Sequence, residues 1–168
     1  MFNRLTEDQK RLTYKTLGHC AMVPGGGELK VAWALSLLEG GVESKNLAIL
    51  ATLHKLPNEF EVDEYFNKVL AELKIEKPAT DDATRGLAKV IAHEVIDGDL
   101  APLDGVEQLQ SINSAMGYPE YLSKFVSLAD EWYSENIDGL SLEQRKLKIV
   151  DSCRALYGTF EYPEIFTN

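Results

Sequence analysis

Cysteine is scarce in this chain. The only two, Cys20 and Cys153, stand near opposite ends of the 168 residues and in no paired spacing. A chain of this length buries roughly 70% of the surface its unfolded form exposes, so it needs neither a disulfide framework nor a structural metal. Both cysteines fall among apolar, helix-patterned neighbours, which predicts two reduced, buried thiols; a disulfide between them would imply export. Residues 1–12 argue against export, being polar and without the apolar stretch of a secretory signal. Long hydrophobic runs are missing too: the longest, residues 31–38, falls far short of the roughly 20 residues a membrane-spanning helix needs. The expectation is a cytoplasmic protein without a membrane partner.

Positive charge is the next shortage. Seventeen Lys and Arg face 27 Asp and Glu, a net charge of −10. The deficit is concentrated in residues 31–139, where 20 acidic and 8 basic residues give −12, while residues 1–30 and 140–156 each carry +2. An acidic middle repels phosphate backbones and attracts cationic partners, which excludes direct nucleic-acid binding and points to a basic protein partner. Hydrophobic residues at 45% and charged residues at 26% exclude disorder.

What is present is helical periodicity, punctuated at regular intervals. Thr6 to Gln9 has capping-box spacing and opens a first helix to about Leu17. After Gly25-Gly26-Gly27, a second helix runs from Glu28 to Glu39. Its expected buried face is Val31, Ala34, Leu35 and Leu38, widened by Trp33 and Leu37, with Gly40 and Gly41 as left-handed caps. Ser44 caps a third helix to Leu53, and Pro57-Asn58 closes it. A fourth carries the stripe Val62, Tyr65, Phe66, Val69, Leu70 and Leu73 and is expected to end at Pro78. A fifth runs from Thr80 or Asp81 to Asp97, with Leu87, Ile91 and Val95 inward and Gly98 as its stop. Asp104 and Glu107 have the spacing to cap a sixth, which reaches Met116. Leu122, Phe125, Val126, Ala129, Trp132 and Tyr133 mark a seventh, ended by Asp138-Gly139. Ser141 starts an eighth with Leu142, Ile149, Val150, Cys153, Leu156 and Tyr157 inward. Short connections favour antiparallel αα-hairpins, and no interior linker divides the chain. The expected fold is therefore all-α, a single domain of about eight helices over residues 1–168, with residues 158–168 an aromatic-rich C-terminal tail.

Several arrangements of chemistry-bearing residues fall short of a site. His93 and Asp97 share a helix face, as the two histidines of a zinc-peptidase helix do, but Asp97 replaces the second histidine and a third ligand has no source. An i,i+4 ion pair explains the same letters. Asp97, Asp99 and Asp104 with Gly98 and Gly105 lack EF-hand spacing, and Pro102 interrupts them. Gly25-Gly26-Gly27 has backbone N–H groups for an anion, yet no preceding strand and no following Lys-Ser or Lys-Thr, so a hinge is the expected use. Cys20 beside His19 is adjacency only, since helix neighbours point in different directions. Residues 33–53 could pass for a helix-turn-helix, but the second helix carries one lysine and Glu39 and Glu43 sit at the turn. No catalytic residue, metal or cofactor is expected.

The acidic stretch Glu59, Glu61, Asp63 and Glu64 remains, with Glu39 and Glu43 expected nearby if the second to fourth helices pack together. These carboxylates would stabilise the start of the fourth helix by about 0.3–1 kcal/mol each. They also suit electrostatic docking of a basic protein, where clustered charge raises the association rate. Trp132 with Tyr133, and the tail, are alternative aromatic anchors.

The letters Leu38-Glu39-Gly40-Gly41, then Ser44, Leu47-Ala48-Ile49-Leu50-Ala51, and later Gly98, Pro102 and Gly105 carry a resemblance. Over residues 28–112 the chain resembles small uncharacterised helical bacterial proteins, some of which are immunity partners of secreted toxins. The resemblance implies an interaction role and no catalytic residues. The leading expectation is an acidic, non-enzymatic protein-binding domain, an immunity protein that occludes a basic bacterial toxin such as a nuclease. Two rivals stand beside it. One is a small helical hydrolase assembled from His54, His93 and nearby carboxylates; the other is an oligomeric module whose tail, from Phe160 to Phe166, docks on a neighbouring copy.

Overall fold

The computed structural model describes residues 5–54, 58–134 and 139–167. Among them the chain is all-α, with eight helices: α1 (Glu7–Met22), α2 (Gly27–Glu39), α3 (Lys45–Thr52), α4 (Glu59–Glu72), α5 (Thr80–Asp97), α6 (Pro102–Ala115), α7 (Ser123–Tyr133) and α8 (Leu142–Tyr157). A single 3-10 turn, Glu120–Leu122, leads into α7. No strand forms among the described residues, and an isolated antiparallel bridge joins Ile75 to Phe166. The chain divides into two compact units, Met1–Leu87 with Pro163–Asn168 and Ala88–Tyr162, the boundary falling inside α5.

In the first unit the capping box forms as its letters predict. The Thr6 hydroxyl accepts from the Gln9 N–H at 3.2 Å, and the Gln9 side chain accepts from the Thr6 N–H at 2.8 Å. The helix passes Leu17 and continues to Met22, because Gly18 lets α1 lie directly against α5. A Cβ at Gly18 would stand 2.4 Å from the Leu87 Cβ and 2.8 Å from the Ala83 carbonyl oxygen.

α2 is the centre of this unit, packed on α1, α3 and α4. Its buried face is rotated from the expected one. Lys30, Val31, Trp33, Ala34 and Leu37 are buried, whereas Leu35 is exposed. Trp33 sets that rotation: its indole N–H donates to the Thr13 hydroxyl of α1 at 3.0 Å, and its ring meets Phe66 of α4 edge-on at 5.2 Å. Gly41 has the expected left-handed backbone (φ 84), but Gly40 does not (φ −79). A Cβ at Gly40 would lie 2.1 Å from the Gln9 amide nitrogen, so the end of that side chain would have to move to admit one.

Ser44 caps α3, accepting from the Leu47 N–H at 3.1 Å, and Leu47, Leu50 and Ala51 are buried. Pro57 lies outside the described residues. Asn58 caps α4 by accepting from the Phe60 N–H at 3.1 Å. α2 and α4 run parallel, since Gly27 stands beside Glu59, Lys30 beside Asp63 and Trp33 beside Phe66. α4 stops well before Pro78, because Lys74 adopts a left-handed backbone (φ 54) and turns the chain into Ile75. Residues 74–76 then receive the tail of the same chain. The Glu76 N–H donates to the Ile165 carbonyl at 2.8 Å, and the Thr167 N–H donates to the Lys74 carbonyl at 3.0 Å.

Tyr14 fixes that tail from α1, donating its hydroxyl to the Pro163 carbonyl at 2.9 Å. Burial, reinforced by the charge of Glu7, pushes its phenol up to about 12. Burial alone pushes the Cys153 thiol, in the other unit, up to about 12. Both groups keep their protons in the folded chain at pH values where the unfolded chain releases them. Their stabilisation is therefore intact below pH 9 and lost as pH rises toward 12. The urea midpoint is expected to fall across that window, and less steeply in Tyr14→Phe. A flat profile in the parent chain would refute it.

In the second unit, α6 packs on α7 and α8, and α7 on α8. α6 opens earlier than its carboxylates suggested. Ala101 is the N-cap and makes no side-chain cap bond, and Pro102 occupies the first turn. Proline at that position presets φ and lacks an N–H that would go unbonded anyway. Asp104 thus lies inside the helix, and Glu107 accepts from the Tyr133 hydroxyl. Leu122, Phe125, Leu128 and Ala129 are the buried residues around α7, while Tyr133 is 65% exposed. Asp138 lies outside the described residues. Ser141 and Gln144 form the second capping box; Ile149, Cys153 and Leu156 are buried, and Leu142 is exposed.

Every buried charge among the described residues is a cation: Lys30, Lys89 and Arg145. Two of them cap helix C-termini, where carbonyls lack intrahelical donors and the dipole favours positive charge. The Lys89 ammonium donates to the Tyr157 carbonyl of α8 at 2.6 Å and to the Phe160 carbonyl at 2.7 Å, and lies 4.1 Å from the centre of the Tyr157 ring. The Arg145 guanidinium donates to the carbonyls of Glu131, of Trp132 at 3.3 Å and of Ser134 at 3.1 Å, closing the end of α7.

Candidate functional site

The parallel pair α2 and α4 decides where the acidic residues stand. All six, Glu39, Glu43, Glu59, Glu61, Asp63 and Glu64, are exposed. They do not form one cluster. Glu59 and Asp63 lie beside Gly25, Gly27 and Lys30 at the start of α2. Glu39 is nine residues further along that helix than Lys30, about 14 Å at 1.5 Å per residue. Glu43 follows it in the α2–α3 turn, and the side chains of Ser44 in that turn and of Asn46 in the first turn of α3 both donate to Glu72 at the far end of α4. Packing of helices two to four therefore separates Glu39 and Glu43 from the other four.

The four at the start of α4 differ in their partners. The Asp63 carboxylate accepts from the buried Lys30 ammonium at 2.5 Å, and that ammonium also donates to the Gly25 carbonyl at 2.7 Å. Glu64 pairs with Lys68 at 2.5 Å. Glu59 leans over the glycine turn: a Cβ at Gly27 would come within 2.8 Å of its carboxylate oxygen. The turn that could have cradled an outside anion is thus covered by the chain's own carboxylate. A side chain at Gly27 would push that carboxylate aside.

Sequence reasoning missed Phe60. It stands among these carboxylates and is 88% exposed, and Val23, just before the glycine turn, is 61% exposed. The signal was available, because at 100° per residue Phe60 falls on the side of α4 opposite the Val62, Phe66 and Val69 stripe. Asp63 and Glu64, three and four residues on, share its side of the helix. The result is an isolated aromatic ring standing in water with carboxylates around it.

His93 pairs with Asp97 at 3.3 Å and packs against Tyr157 at 5.5 Å. His54 is exposed after α3. Asp97 at the end of α5, Asp99 in the turn and Asp104 in the first turn of α6 are all exposed. Among the described residues no group of three or more His, Cys, Asp or Glu is placed so that it could hold a metal ion. Cys20 is half-buried beside the glycine turn. Burial raises its pKa, with Lys30 and Lys77 pulling down against Asp63 and Glu59, so the thiol stays protonated and is a weak nucleophile. Cys20 and Cys153 are free thiols. α3 packs on both α2 and α4, which uses its apolar side for the core. Trp132 is half-buried, and no described helix is long and apolar enough to cross a membrane. No family model, curated protein or solved structure matches this chain.

Proposed function

We propose that this chain is a non-enzymatic protein-binding module that receives a basic partner on the opening turns of α4. Phe60 is the apolar anchor, and Glu59, Glu61, Asp63 and Glu64 surround it. The observation that carries the reading is the 88% exposure of Phe60. A phenylalanine left in water forgoes about 1.5–3 kcal/mol of burial, which a docked partner recovers. The carboxylates around it supply attraction at a distance and repel acidic competitors. In its finer form the partner is a basic bacterial toxin such as a nuclease, and the chain is the immunity protein that occludes it. Occlusion requires a rigid scaffold and a complementary surface, with no reactive group on the inhibitor.

A photo-reactive phenylalanine analogue at position 60 tests this in the source cell. The expected product is a covalent adduct with one basic protein. Phe60→Ser is expected to weaken that complex by at least about tenfold while leaving folding unchanged. Affinity should also fall as salt is raised. Unchanged affinity in Phe60→Ser, or adducts formed only with acidic proteins, would refute the assignment.

A further inference from the structure

The first unit contains a second recognition arrangement, already occupied by the chain itself. Residues 163–167 form no helix and are held by what residues 74–76 and α1 offer them. The Pro163 carbonyl takes the Tyr14 hydroxyl at 2.9 Å, and the Ile165 carbonyl takes the Glu76 N–H at 2.8 Å. The Thr167 N–H and hydroxyl both donate to the Lys74 carbonyl at 3.0 Å. Three of these four bonds engage main-chain atoms of the tail, which any extended segment carries. Selectivity rests on two side chains. Ile165 is 1% exposed, and the Phe166 ring stands edge-on to Tyr14 at 5.5 Å with the Lys10 ammonium 5.9 Å from its centre.

This is the chemistry of strand addition: main-chain bonds to a short edge, with side-chain contacts, here those of the adjacent Ile165 and Phe166, adding selectivity. The left-handed backbone at Lys74 creates the edge, turning residues 74–76 out of α4 so that their N–H and C=O groups face outward. We propose that residues 74–76, with the Lys10 and Tyr14 face of α1, form a peptide-receiving edge. Its resident occupant, Pro163–Thr167, is displaced by an extended partner segment carrying the same proline, aliphatic and aromatic pattern. The edge lies at the end of α4 and Phe60 at its beginning, so the two sites are separate and the proposal does not depend on the docking of a basic partner.

Two measurements on the full chain test it. In hydrogen exchange, the Glu76 and Thr167 amides are expected to open at least about 100-fold more often than the Leu37 amide of α2, through a local release insensitive to mild denaturant. A fluorescent peptide copying residues 160–168 is then titrated into the intact chain and into the full-length double variant Ile165→Ser, Phe166→Ala. The variant is expected to bind the peptide at least about tenfold more tightly, because its own tail no longer competes. A peptide with the same two substitutions should not bind, and Phe60→Ser should change nothing. The proposal is overturned if both amides exchange only with global unfolding or if the folded variant ignores the peptide. Loss of the variant's helical circular dichroism overturns it equally, since the segment would then be a fixed part of the core.

Discussion

Replacing Gly18 with alanine is expected to destabilise the chain by about 3 kcal/mol, at the upper end of overpacking substitutions. The added methyl would sit 2.4 Å from the Leu87 Cβ and 2.8 Å from the Ala83 carbonyl oxygen. Neither atom is the end of a flexible side chain. Leu87→Ala gives no relief, because alanine keeps the offending Cβ. Only displacement of α1 from α5 makes room, and that displacement strips contacts from Leu17, which is 5% exposed. Urea denaturation of Gly18→Ala, alone and with Leu87→Ala, measures the effect. A loss below about 1 kcal/mol would show that the two helices separate freely.

Arg145→Ala is expected to be of similar size, about 3 kcal/mol, for a different reason. One guanidinium nitrogen serves three carbonyls at the end of α7, and the side chain is 8% exposed. Removing it leaves those acceptors in a poorly hydrated place, each costing about 1–3 kcal/mol where no water replaces the lost donor. Arg145→Met separates packing from polarity, since it keeps the aliphatic stem. It should lose nearly as much as alanine, whereas Arg145→Lys recovers part through its three donors. Protection of the α7 amides should fall with overall stability. If methionine proved neutral, the capping role would be excluded.

Much of the fold can be read from single letters, and the reason is that caps and stripes are local. Thr6, Ser44, Ser141 and Gly41 act on neighbours within a few residues, so their spacing carries their meaning. α5 begins and ends as its pattern implies. The misreadings arise where a distant residue intervenes. Leu35 looks as buried as Leu37 until the indole of Trp33 is fastened to Thr13 and the helix turns it outward. Gly40 does cap α2, but without the left-handed backbone its letter suggests, and its carbonyl accepts from the amide of Gln9, 31 residues earlier. The tail's pairing with residues 74–76 spans about ninety positions and involves backbone atoms, which have no sequence signature.

The candidate site was half legible. Its carboxylates were visible as composition, but their separation into two groups follows from the parallel course of α2 and α4, which spacing alone does not reveal. Phe60 was overlooked because attention to the buried stripe, Val62 to Leu73, passed over the one large apolar letter that does not belong to it. Its angular position placed it on the wet side all along. The three buried cations were likewise hidden, since lysine and arginine are ordinarily surface residues. Each is buried here because carbonyl groups, joined at Lys30 by the Asp63 carboxylate, surround its charge.

That division of labour between the signs of charge makes acidic and basic residues unequal subjects for mutagenesis. Neutralising Glu39, Glu43 or Glu61 touches only the solvent-facing skin of the molecule, so amide-for-acid scanning there should report recognition with the scaffold held constant, whereas Asp63 stands apart because it balances the buried Lys30 ammonium. Neutralising Lys30, Lys89 or Arg145 tests folding instead. A library that mixed these three cations and Asp63 with the exposed carboxylates would confuse the two readouts, and sorting it by burial and pairing before screening would keep them apart.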